Sequence, residues 1–118
     1  MRRKPVLSKL EYHLLSRTMD DLEPLNVLYS DIVRDFQGIS LRQIIEALVR
    51  LTDIGLVQCY FDDYELGKRI PCEKLTKVQL EKHCSGRSDD ELRSYPEQGG
   101  EYEFEASAEG RLEEAREI

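Results

Sequence analysis

The stretch ISLRQIIEALVRLTDIGLVQCYF, residues 39–61, decides the fold. Ser40 and Gln43 have capping-box spacing, in which each side chain satisfies a backbone N–H at the start of a helix. Ile39 and Ile44 flank that box as a hydrophobic staple. Leu41, Ile44, Ile45, Leu48 and Leu51, joined by Val49, recur at helical spacing and predict one apolar face. Gly55 offers the left-handed conformation that residues with a Cβ avoid, so the helix ends there. LVQCYF then reads as a strand from its β-branched and aromatic content.

Upstream, Ser8 and Glu11 form a second capping box, and Leu7 and Tyr12 a second staple. They open a helix expected from Ser8 to about Asp21, with Leu10, Leu14, Leu15, Thr18 and Leu22 along one stripe. DDLEPLNVLYSDIVRDFQG reads as the next helix, with Pro24 in its first turn, where the missing N–H costs nothing. Its inward face is Leu25, Leu28, Ile32, Val33 and Phe36, and Gly38 stops it. Two helices joined by a tight glycine-containing turn make a helix-turn-helix candidate.

Downstream, EYEFEAS, residues 101–107, reads as a second strand. Tyr102 and Phe104 alternate with Glu101, Glu103 and Glu105, which predicts one apolar and one acidic face. Ser107 then caps a last helix. The intervening residues 62–100 are too many for a bare hairpin loop. IPCEKLTKVQLEKHC is expected to be helical, with Pro71 in its first turn and Cys72, Leu75 and Val78, joined by Leu80, on its weaker apolar side. Ser88 and Glu91 cap a short helix, and PEQGG turns into the second strand.

The chain has 118 residues, of which 40% are hydrophobic and 35% charged, which bounds it to one globular domain. No apolar run approaches the roughly 20 residues needed to cross a bilayer, so no membrane partner is expected. Pro5, Lys9, Glu11 and His13 interrupt the basic opening, which excludes a signal peptide. Three cysteines without a secretory signal imply reduced thiols and a cytoplasmic protein. Cys59 reads as a packed small hydrophobe, whereas Cys72 and Cys84 would become a redox pair if the long segment folded back on itself. No Cys-x-x-Cys spacing supports a metal, and no cofactor motif is present. Catalysis is not expected either. His83 and Cys84 are neighbours on a helix and do not face each other, and neither a phosphate loop nor a nucleophile elbow occurs.

The order of elements is helix, helix, tight turn, helix, strand, long excursion, strand, helix. With EALVRLTDIGLV, carrying Ala47, Leu48, Leu51, Gly55, Leu56 and Val57, and YEFEASAEGRLEE, carrying Ser107, Gly110 and Arg111, it resembles the winged helix-turn-helix domains of MarR-like and PadR-like transcriptional regulators. The resemblance implies an α+β, mostly α fold: a three-helix core, a two- or three-stranded wing, an enlarged wing insert and a C-terminal helix. On that reading residues 1–7 are a basic tail and 8–61 the helix-turn-helix core with the first wing strand. Residues 62–100 are the wing insert, and 101–118 the closing strand and last helix.

Such a domain implies duplex DNA as partner, read non-covalently by helix 40–54 in the major groove. The side expected to face bases carries Arg42, Gln43, Glu46, Arg50 and Asp53, with phosphate contacts from Ser40 at the helix N-terminus and from Arg2, Arg3, Lys4, Lys68 and Arg69. A homodimer is implied as well, through the first and last helices, although the last helix is short for that role and a monomer stays open. Charge cuts both ways. The net charge is -7, and the third helix is neutral: Arg42 and Arg50 offset Glu46 and Asp53. Residues 1–19 and 67–88 each carry +4, against -4 over 20–36 and -6 over 89–105. Arg42, Glu46 and Arg50 also have the spacing of solvated i,i+4 ion pairs. The alternative is therefore a winged helix used for protein contacts, recognisable by an apolar groove or acidic patch where DNA would sit.

Overall fold

A computed structural model describes residues 5–117, and side chains through Glu114. Among them run six helices and four strands: α1 (Lys9–Arg17), β1 (Glu23–Pro24), α2 (Leu25–Asp35), α3 (Leu41–Asp53), β2 (Val57–Asp63), β3 (Lys68–Cys72), α4 (Lys77–Cys84), α5 (Asp89–Leu92), β4 (Gly100–Ala106) and α6 (Ala108–Glu117). The strands form one antiparallel sheet in the order β1-β4-β2-β3.

α3 forms where its sequence demands. The Ser40 side chain accepts from the Gln43 N–H at 3.2 Å, and Gln43 returns the bond to the Ser40 N–H at 2.9 Å. Gly55, at φ +79°, closes the other end. Ile44, Leu48 and Leu51 are wholly buried against Leu14, Leu15, Leu28, Ile32 and Phe104. Each such side chain contributes roughly 2 kcal/mol of burial. α1 lies across α3, and α2 closes the third side.

α1 is shorter than its stripe predicts, because the Thr18 hydroxyl turns back onto the Leu15 carbonyl at 2.8 Å and the helix ends at Arg17. Pro24 is not inside α2. It is the extended residue before it, and with Glu23 it pairs with β4 through Glu23↔Phe104. α2 stops at Asp35, three residues before Gly38, because Phe36 turns extended.

The sheet corrects the reading of residues 62–100 most. Two or three strands were expected, and there are four. KRIPC is the strand β3 rather than the beginning of a helix, paired with β2 from Cys59↔Cys72 to Asp63↔Lys68. Pro71 can hold an edge strand because its missing N–H faces outward there. The helix that follows starts at Lys77, behind a Thr76–Gln79 capping box.

The closing segment explains the SxxGR motif structurally. The Ser107 hydroxyl donates to the Gly55 carbonyl at 2.6 Å and accepts from the Gly110 N–H at 3.0 Å. A Cβ on Gly110 would lie 2.0 Å from the Leu56 carbonyl oxygen, so only glycine lets α6 sit on the β2 entry. Arg111 donates to the Met19 carbonyl at 2.6 Å. All three residues bolt α6 to the turns that flank the helical core.

Candidate functional site: the outward face of α3

The side of α3 turned away from the core carries Arg42, Gln43, Glu46, Arg50 and Asp53, all exposed. Its cations are paired. Arg50 donates to Glu11 at 2.6 Å and to the Val6 carbonyl at 3.1 Å. Burial, the largest influence on Glu11, pushes its carboxyl up. The Arg50 bond and the two bonds from Ser8 outweigh that and leave it below its usual value. Arg42 donates to Glu46 at 3.2 Å, and Lys77 of α4 approaches the same Glu46 oxygen at 3.0 Å. Lys77, the nearer influence, and Arg42 together hold Glu46 below the ordinary carboxylate range.

Lys77 marks a neighbour that the sequence does not announce: α4 lies alongside α3. Between them runs an open groove of about 310 Å³, lined by Leu41, Arg42 and Ile45 on one wall and Glu81, Cys84 and Ser85 on the other. Two further contacts fasten α4. Leu80 and Cys84 are buried in the core. His83 Nε2 and Glu101 Oε1 are hydrogen-bonded at 2.7 Å, the His83 ring edge-on to Tyr102 at a centroid distance of 4.9 Å. Glu101 is 1% exposed, and its second oxygen, Oε2, has no partner in the protein.

The acidic face expected of β4 is therefore not a solvent face. Glu101 is buried beside His83. Glu103, also buried, accepts from Arg69 at 2.6 and 3.3 Å, with Arg69 reaching across β2 from β3. Period-two alternation located these carboxylates, but their partners lie 18 and 34 residues away in the chain.

Of the residues singled out in the sequence, Ser40, Arg42, Gln43, Glu46 and Arg50 share one face, with the Ser40 and Gln43 side chains engaged in the helix cap. Arg69 belongs to the separate Glu103 cluster, and Lys68 is exposed beside it on β3. Arg2, Arg3 and Lys4 lie outside the described residues. The N-terminal segment approaches α3 at Val6, next to Arg50. Glu11, Lys77, His83 and Glu101 complete the neighbourhood and were not singled out for it. A capping-box scan of residues 76–79 finds the start of α4, but nothing local predicts where α4 docks.

Among the described residues no group of His, Cys, Asp and Glu side chains is arranged to hold a metal, and no helix is long and apolar enough to cross a membrane. No family model, curated protein or solved structure matches the chain.

Proposed function

We propose that the chain is a winged helix domain whose α3 surface serves protein contacts rather than duplex reading. The winged helix part rests on connectivity. A short strand between the first two helices pairs with the last strand, which in turn pairs with the strand leaving the third helix. The β2–β3 hairpin and α4 then enlarge the wing.

The observation that carries the functional part is the Arg42–Glu46–Lys77 bridge. A reading helix must enter a groove about 12 Å wide and supply unpaired cations to phosphates. Here α4 flanks α3 on one side, and Arg42 and Arg50 already face carboxylates. An open groove with Leu41 and Ile45 in one wall, rimmed by Arg42 and Glu81, has the mixed apolar and paired-charge character of a protein-contact surface.

One observation favours the second reading, a transcriptional regulator binding double-stranded DNA. The Val6 carbonyl accepts from Arg50, and the sequence places the cations Arg2, Arg3 and Lys4 two to four residues before Val6. Binding of labelled random-sequence duplex, followed by fluorescence anisotropy across a salt series, separates the two. The protein-contact reading expects no binding at low salt, where even non-specific phosphate contacts register. Salt-sensitive binding that Arg42→Ala with Arg50→Ala weakens would instead establish α3 as a DNA reader.

A further inference from the structure

We infer that Cys59 and Cys72 form a dithiol site that a low-molecular-weight disulfide, such as oxidised glutathione, converts to an intramolecular disulfide. Cys59 and Cys72 are directly opposite each other on β2 and β3. The adjacent pair, Tyr60↔Pro71, must be of the non-hydrogen-bonded type, since Pro71 has no N–H to exchange. Pair types alternate along an antiparallel ladder, so Cys59↔Cys72 is a hydrogen-bonded pair with a Cα separation of about 5.5 Å. That distance lies inside the window of about 4.4–6.8 Å that a disulfide spans. The Cys59 thiol donates to the Tyr60 carbonyl at 3.8 Å, and the neighbouring Cys72 thiol adds to the upward push that burial gives it.

Access divides the labour between them. Cys59 and Cys84 are buried, whereas Cys72 is half-buried at the end of the edge strand. Burial pushes the Cys59 thiol up and keeps it protonated until a partner is presented. Cys72 releases its proton to solvent, and its sulfur attacks one sulfur of the reagent. The reagent S–S bond breaks, and half of it leaves as a thiolate. Cys59 then gives up its proton and attacks the Cys72 sulfur, expelling the second half as a thiolate. Two protein thiols are oxidised to one disulfide, and the reagent is reduced to two thiols. The second step needs no entry of reagent into the core. Cys84 is the competitor: all three sulfurs lie close enough to bear on the Tyr102 phenol, but Cys84 is not opposite either of the others in the ladder.

The test uses the full chain in glutathione buffers of graded redox ratio. Samples are quenched in acid, alkylated under denaturing conditions and digested without reduction. Cleavage after Lys and Arg places the three cysteines in separate peptides, 51–68, 70–74 and 83–87. The expected product is peptide 51–68 joined to 70–74, lighter by two hydrogens than the pair, with Cys84 alkylated and the link reversed by dithiothreitol. Cys84→Ala should leave that link unchanged, and Cys72→Ser should leave Cys59 fully alkylated. Three outcomes overturn the inference. These are a Cys72–Cys84 link, a glutathione adduct that stays on Cys72 beside alkylated Cys59, and alkylation of all three thiols through the most oxidising buffer.

Discussion

α3 and α4 lie side by side and are held in opposite ways. α3 buries Ile44, Ile45, Ala47, Leu48 and Leu51 and keeps its charges outside. α4 buries only Leu80 and Cys84, and leans on polar side chains: Lys77 on Glu46, and His83 on Glu101. Apolar burial is indifferent to fine geometry and adds up, so α3 is part of the cooperative core. Polar fastening gives little net free energy per bond but specifies one orientation. The difference teaches that α4 is oriented by a few directed contacts beside two buried side chains, whereas α3 is held by a whole apolar face.

Leu48→Ala should show the largest effect. It empties a fully buried site at the centre of the helices and should cost about 3 kcal/mol, read as a lower urea midpoint with unchanged slope. His83→Ala should cost about 2 kcal/mol, since it removes the imidazole from a carboxylate that is buried. Hydrogen exchange should then speed up in α4 before α3. Equal acceleration in both helices would erase the distinction between core and insert.

Acid should loosen the α1–α3 contact next. Glu11 has a carboxyl held below its ordinary 4.5, so folding prefers it ionised. Its stabilisation is fully present above that ordinary value and is lost as pH falls through the lower, folded value. In urea titrations between neutral and acid pH, Glu11→Gln should start less stable and lose less on acidification than the parent. Lys77→Ala should show the smallest effect. Glu46 is solvent-screened, so the urea midpoint should not move, while the first turn of α4 should exchange faster. A shifted midpoint would mean that α4 belongs to the core after all.

What was legible in the sequence follows the same division. α3, its cap and its stop are local facts: Ser40, Gln43 and Gly55 each act within a few residues, and the apolar stripe needs no knowledge of its partner. α5 was legible for the same reason, from Ser88 and Glu91. β1 was not, because two residues have no period and owe their strand pairing to Phe104 and Glu103 across the fold. β3 was hidden because Pro71 and the short run KRIPC carry no alternation. In the candidate site, the cations on α3 were found by their exposure pattern. The Arg50–Glu11 and Lys77–Glu46 pairs were not, since those contacts span 39 and 31 residues. The first and last helices also pack partly on each other, a contact between residues far apart in the chain.

The free side of β3 has a consequence for assembly. This strand is the open edge of the sheet, and Pro71, Lys68 and Arg69 sit on it. An incoming strand would find a missing donor in the middle of the template and two long cations beside it, a poor surface for lateral growth. Neighbouring copies of the chain would therefore find β3 hard to knit into a continuous ribbon. Restoring the donor with Pro71→Val should speed fibre formation, followed by thioflavin fluorescence, if that one ring guards the edge.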